Sequence, residues 1–213
     1  MIFLGPVYRN LYAHYAAHIN HFPLIRLVML SLDKTILYLL LFLCARGLYL
    51  LLRRRRVNFW RELLLFIFVA YVLLVWFLTV FRGTYYYPWQ LVWHLHRSLT
   101  VINWQPLVET LKLTQGATMF DFYYQSFGNI AWFVPFGLLA PGLMRRKRRM
   151  LRTIVFGSLM SLAIETMQFF LITGITDIDD WIFNTIGVVL GYLVFAILAA
   201  FWRLIRRGSK QTK

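Results

Sequence analysis

The sequence predicts an all-α, polytopic membrane bundle of about five transmembrane helices, and three observations predict it. The 213-residue chain is 60% hydrophobic and 18% aromatic, with a mean hydropathy of +0.62, whereas a soluble domain carries about 25% charged residues against the 15% here. Five apolar runs approach the roughly 20 residues needed to cross hydrocarbon. Blocks of arginine and lysine follow the first, third and fifth of them.

The runs come in order at 35–52, 63–81, 127–144, 153–173 and 181–202. The first ends at Arg53, Arg54, Arg55 and Arg56, and the second at Arg82 and Gly83. Pro135, Gly137 and Pro141 lie in the short third run, so its helix is expected to be kinked or broken. A dense basic block, Arg145, Arg146, Lys147, Arg148 and Arg149, then Arg152, separates it from the fourth. The fifth ends at Arg203, Arg206 and Arg207. Two spans separate consecutive clusters, so all three fall on one side. By the positive-inside rule that side is the cytoplasm, and the N-terminus lies outside. The loop 82–126 and the turn around Asp177 are then external. They hold Glu109, Asp121, Asp177, Asp179 and Asp180, five of the eight acidic residues.

Residues 1–34 are a separate segment, interrupted by Pro6 and Pro23 and unlike a cleaved signal peptide. An interfacial or re-entrant helix is expected there, before a five-span domain at 35–213. His14, His18 and His21 read as a polar interfacial stripe rather than a metal site, and no metal or cofactor is expected. Cys44, the single cysteine, lies in an apolar run and excludes an internal disulfide. The net charge of +15 sits in short blocks between apolar runs, which is topology rather than a nucleic-acid surface. The loop aromatics Tyr85, Tyr86, Tyr87, Trp89, Trp93 and Trp104 read as an interfacial belt, in preference to sugar- or base-stacking beside Arg97 and Lys112.

A charge at mid-bilayer costs about 2.5–3.5 kcal/mol, so each needs a reason. Arg46 is seven residues before Arg53, about 10 Å along a helix, and is expected to snorkel to the boundary rather than pair with a buried acid. Glu165 is too short to reach either surface and should face other helices. Ser158, Ser161, Glu165 and Gln168 form one stripe on the fourth helix, opposite Leu159, Ile164 and Phe170. Asp177, Asp180, Asn184, Gly187 and Gly191 form another on the fifth. The two stripes are expected to pack together, aided by the Gly187/Gly191 pair, with Asp180 and Asn184 as partners of Gln168 and Glu165. Polar glue between helices is one reading of these residues. A binding or reactive site opening outward is the preferred one.

The chain resembles the VanZ-like family, the group that includes the teicoplanin-resistance accessory protein. The resemblance rests on Asn103-Trp-Gln-Pro106, on Asn129-Ile-Ala-Trp-Phe-Val-Pro135-Phe-Gly137, on Glu165-Thr-Met-Gln168, and on Asp177-Ile-Asp-Asp180-Trp-Ile-Phe-Asn184-Thr-Ile-Gly187 followed by Gly191 and Tyr192. It covers about 100–201. Leu107 stands where the family has an aromatic, and Trp104-Gln105 where it has aliphatic residues. The resemblance implies a bacterial plasma-membrane protein, with resistance to lipid-anchored glycopeptides among some members.

Two functions are then weighed. One is an envelope accessory protein, not an enzyme, that binds a lipid, a lipid-linked cell-wall precursor or a glycopeptide at the outer leaflet. Its binding residues would be Asn103, Asn129, Glu165, Gln168, Asp177, Asp180 and Asn184, with Pro135, Gly137, Gly187 and Gly191 structural. The other is a membrane enzyme with Glu165 and Asp180 as acid/base pair on a lipid-linked phosphate, perhaps with a divalent metal on Asp177, Asp179 and Asp180. No nucleophile motif supports the second, and a proton-coupled transporter lacks an inverted repeat.

Overall fold

In a computed structural model the chain is all-helical, described over residues 1–54, 57–83, 85–106, 119–174 and 176–211, with side chains from 127 onward in the fourth helix and to 205 in the last. Arg55, Arg56, Leu107, Glu109 and Lys112 lie outside the described residues, as do the side chains of Asp121, Arg206 and Arg207. The helices are α1 (Gly5–Tyr15), α2 (Phe22–Arg53), α3 (Phe59–Thr79), α4 (Met119–Leu143), α5 (Arg149–Leu171) and α6 (Ile178–Gln211). Among them α2, α3, α5 and α6 are long and apolar enough to cross a membrane, and α4 has a shorter apolar stretch, Phe127–Leu143. The chain is a multi-pass membrane protein.

Two compact units divide it: Met1–Arg97 with Met167–Ile175, and Ser98–Thr166 with Thr176–Lys213. In the first, α2 packs on α3. Its helix starts at Phe22, with Pro23 in the first turn where a missing N–H costs nothing. That is well before the expected start of the first span. Asp33 nevertheless lies 20 residues from Arg53, about 30 Å along the axis, which is one hydrocarbon thickness. The extra turns extend past the apolar layer.

Those turns carry two charges that the sequence reading passed over, Asp33 and Lys34, both fully buried. The Asp33 carboxylate accepts from the backbone N–H groups of Ile2 at 2.6 Å, Phe3 at 2.7 Å and Leu4 at 2.7 Å, and from the Tyr86 hydroxyl at 2.6 Å. Burial, and then the bond to Asp33, raise the Tyr86 phenol above its ordinary value, so it remains a donor. Lys34 Nζ donates to the carbonyls of Phe81 at 2.7 Å and Gly83 at 2.6 Å, just beyond the end of α3. An ammonium there satisfies orphan carbonyls and complements the helix dipole.

Asn58 caps α3 by accepting from Arg61 N at 3.2 Å, which starts the helix directly after the first basic block. Glu62, in that first turn, takes both Nε (2.9 Å) and Nη2 (2.7 Å) of Arg46. Snorkelling alone is therefore the wrong account of Arg46. It pairs bidentately with an acid placed in its reach by the next helix. Side-chain exposures of 30% and 24% leave water access, so a double-mutant cycle with Arg46→Gln and Glu62→Gln is expected to give a coupling near 1 kcal/mol. Chemical denaturation of the four proteins would measure it.

In the second unit α4 packs along α6. Of the expected kink or break, there is no break: one helix runs through Pro135 and Pro141. Close backbone approach explains what the small residues do. A Cβ on Gly187 would sit 2.3 Å from Ile130 O, one on Gly191 2.1 Å from Val134 O, and one on Gly137 2.1 Å from Val188 O. The glycines of α6 thus face α4, and not the preceding helix α5 as the stripe argument expected. Proline in α4 frees carbonyls that a tight neighbour shields from lipid.

Candidate functional site

The polar residues of the second unit gather where α6 begins. Asn103 and Asp177 form a single parallel bridge: Asn103 N donates to Thr176 O at 3.2 Å, and Ile178 N to Asn103 O at 3.2 Å. The side chains repeat the pairing, with Asn103 Nδ2 donating to Asp177 Oδ2 at 3.0 Å. The other oxygen of Asp177 accepts from Asp179 N at 2.9 Å, capping α6 at its positive end. The turn is thereby tied to the loop residue 74 positions earlier in the chain.

Glu165 points into this cluster. It is 5% exposed, and its Oε2 accepts from Asp177 N at 3.3 Å. Thr176 Oγ1 reaches the carbonyl of the same residue at 3.4 Å, and Asp180 and Asp177 lie close enough to act on its carboxyl electrostatically. Asn129 of α4 donates through Nδ2 to Asp180 Oδ1. Asn184 donates to Ser161 Oγ at 2.9 Å, and Trp181 Nε1 to Ser158 Oγ at 2.9 Å. The serines of the α5 stripe therefore do meet α6, but through Trp181 and Asn184. Asp180 and Asn184 partner Asn129 and Ser161, in place of the expected Gln168 and Glu165.

Of the seven expected binding residues, Asn103, Asp177 and Glu165 form one hydrogen-bonded chain, Asn129 pairs with Asp180 beside it, and Asn184 pairs with Ser161. Gln168 joins none of them. Its Nε2 donates to Thr79 O at 3.2 Å and its carboxamide lies against Gly174, both in the first unit. The three-residue step from Glu165 could not show that Gln168 has its partner in Thr79.

The region is rich in acceptors. Three carboxylates converge, and the buried Asn184 Oδ1 has no hydrogen-bond partner among the described residues. Such an arrangement suits a ligand that offers N–H or O–H groups and opposes one that brings phosphate charge. Among the described residues no group of three or more His, Cys, Asp or Glu side chains is arranged to hold a metal ion. Each oxygen of Asp177 accepts one hydrogen bond, from Asn103 Nδ2 and from Asp179 N. His14 donates within its own helix, from Nδ1 to Asn10 O at 2.9 Å.

The loop aromatics divide into two groups. Trp89 and Trp104 are exposed at 78% and 60%, as a belt requires, although Trp104 is in the second unit. Tyr85, Tyr86 and Tyr87 instead line an apolar cavity of about 360 Å³ with Tyr38, Trp76 and Leu91. Arg97 is occupied: its Nη1 donates to Phe169 O at 2.7 Å and its guanidinium lies 4.9 Å from the Phe169 ring centroid. It is not held ready to stack on a ligand.

Comparison with known proteins places these residues in a family. The family described as VanZ/LLP1 matches residues 66–199. Protein VanZ of Enterococcus faecium is 31% identical over 102 residues, a stretch that covers 48% of this chain and 61% of that protein. No solved structure matches.

Proposed function

The chain belongs to the VanZ/LLP1 family, and from that membership we propose that it is a plasma-membrane accessory protein of the bacterial envelope. It binds a cell-wall precursor or glycopeptide, through the peptide or sugar donors of that molecule, at the outer leaflet. The polar cluster at the start of α6 is the binding region, and the observation that carries the reading is the buried Glu165 carboxyl, held by Asp177 N beside Asp180. An acid retained this deep in an apolar helix is costly, which a ligand-binding role offsets. Orientation follows from the basic clusters: N-terminus outside, C-terminus in the cytoplasm. Resistance to teicoplanin-like, lipid-anchored glycopeptides is the phenotype such binding would produce.

Protein in nanodiscs, titrated with a lipid-linked cell-wall precursor and separately with teicoplanin, tests the binding. Glu165→Gln is expected to weaken one of the two at least tenfold, about 1.4 kcal/mol, while Trp89→Ala leaves it unchanged. Equal affinities for Glu165→Gln and wild type with both ligands would remove the proposal. For orientation, Trp104→Cys and Lys147→Cys in a Cys44→Ser background are expected to label with an impermeant maleimide only from outside and only from inside, respectively.

The alternative is an enzyme in which Glu165 and Asp180 exchange a proton at a lipid-linked phosphate. Their proximity favours it, and the convergence of three acids opposes an anionic substrate. Phosphate release by the purified protein, lost in Asp180→Asn, would decide for it.

A further inference from the structure

A second cavity, of about 430 Å³, lies in the second unit at the opposite end of α5 and α6 from the acidic cluster. Arg146, Arg149 and Arg203 line it together with Phe195, Ala199 and Trp202 of α6. No acidic residue is among its lining residues. Three guanidinium groups around one space repel each other unless an anion joins them, and the planar guanidinium matches phosphate oxygens two at a time.

Arg149 is the most constrained of the three. Its Nη2 donates to Met144 O at 3.1 Å, and its guanidinium lies 5.4 Å from the Phe195 ring centroid. Its Nε is buried and has no hydrogen-bond partner among the described residues. A buried charged donor left unmade is expensive, so this atom calls for an acceptor. Along the edge of the cavity on α6, Leu198, Trp202 and Ile205 follow at steps of four and three and are 56%, 57% and 48% exposed, a surface for hydrocarbon. The cavity thus joins a cationic half to an apolar face.

We propose that this cavity binds the phosphate headgroup of an anionic phospholipid, whose acyl chains lie along the exposed apolar face of α6. On the orientation proposed above, the lipid belongs to the cytoplasmic leaflet. The inference does not depend on the acidic cluster having a ligand, since it uses none of those residues.

Purified protein would be exposed to mixed phosphatidylglycerol and phosphatidylcholine micelles, and the lipid retained read by native mass spectrometry. Wild type is expected to retain phosphatidylglycerol at least tenfold over phosphatidylcholine, and Arg149→Gln and Arg203→Gln to lose that preference. Lys147→Gln, which removes a charge of the same block that does not line the cavity, is expected to keep it. Arg146 and Arg203 are exposed, so Arg146→Gln/Arg203→Gln supplies the result if Arg149→Gln does not fold. Three outcomes would overturn the proposal. They are an equal loss in Lys147→Gln, unchanged preference in every arginine variant, and protection against thermal unfolding by inorganic phosphate equal to that by phosphatidylglycerol, which would mark a site for free phosphate.

Discussion

Gly191→Ala is expected to destabilise the protein by about 3 kcal/mol, measured as a fall in the unfolding midpoint in detergent. Alanine is the better helix former by about 1 kcal/mol, so propensity alone predicts the opposite sign. The geometry decides against it. The new Cβ would stand 2.1 Å from Val134 O and 2.9 Å from Gly137 Cα, and neither backbone atom can swing aside as a long side chain could. Separation of α4 from α6 is the remaining response, and it would loosen the packing along both prolines of α4. Gly137→Ala meets Val188 O at 2.1 Å and Tyr192 N at 2.7 Å and should behave alike. The two substitutions address one contact, so the double variant should cost less than their sum. Gly47 has no atom within 4 Å of a built Cβ. Gly47→Ala in α2 is therefore the control, expected to be neutral or stabilising by up to about 1 kcal/mol. If Gly191→Ala and Gly47→Ala shift the midpoint equally, the close approach of α4 and α6 is wrong.

Asp33→Ala should produce the second large effect, on the order of 3 kcal/mol. The carboxylate gathers three consecutive backbone donors and the Tyr86 hydroxyl, and its removal leaves all four without their acceptor. Ile2 and Phe3 are themselves half exposed, so water can replace part of the loss near the terminus. Tyr86 is half-buried and has less of that recourse. Hydrogen exchange would show the amides of residues 2–4 losing protection, and limited proteolysis would cut the segment before α2. Asp33→Asn keeps the size but has a single acceptor oxygen, and an NH₂ now opposes the N–H donors. It should fall between wild type and alanine. Unchanged exchange at residues 2–4 in Asp33→Ala would mean that α1 is held by its packing against Phe22, through Tyr8 and Tyr12, and not by this carboxylate.

Arg46 and Glu165 were found because each is a lone charge in an apolar run. Asp33 and Lys34 were missed because the first span was started at Thr35, immediately after them. An apolar run from Leu27 onward, interrupted by the adjacent opposite charges Asp33 and Lys34, is the available signal. Gly187 and Gly191 were correctly read as a place of close approach, yet given the wrong neighbour. Gln168 was grouped with Glu165 on helical spacing, and its carboxamide serves Thr79.

Hydropathy, the four long apolar helices and the placing of basic blocks are legible from the chain because each is a sum over local residues: apolar length against bilayer thickness, and charge between one span and the next. The side of each helix that carries polar groups was legible too, since 3.6 residues per turn is a property of the backbone. Which helix lies against that side is a different kind of fact. Asn129 meeting Asp180, Asn184 meeting Ser161, and Asn103 bridging to Asp177 are choices among several sterically possible neighbours. They depend on where glycine permits contact and on how every buried donor finds an acceptor at once, and no window of sequence contains that condition.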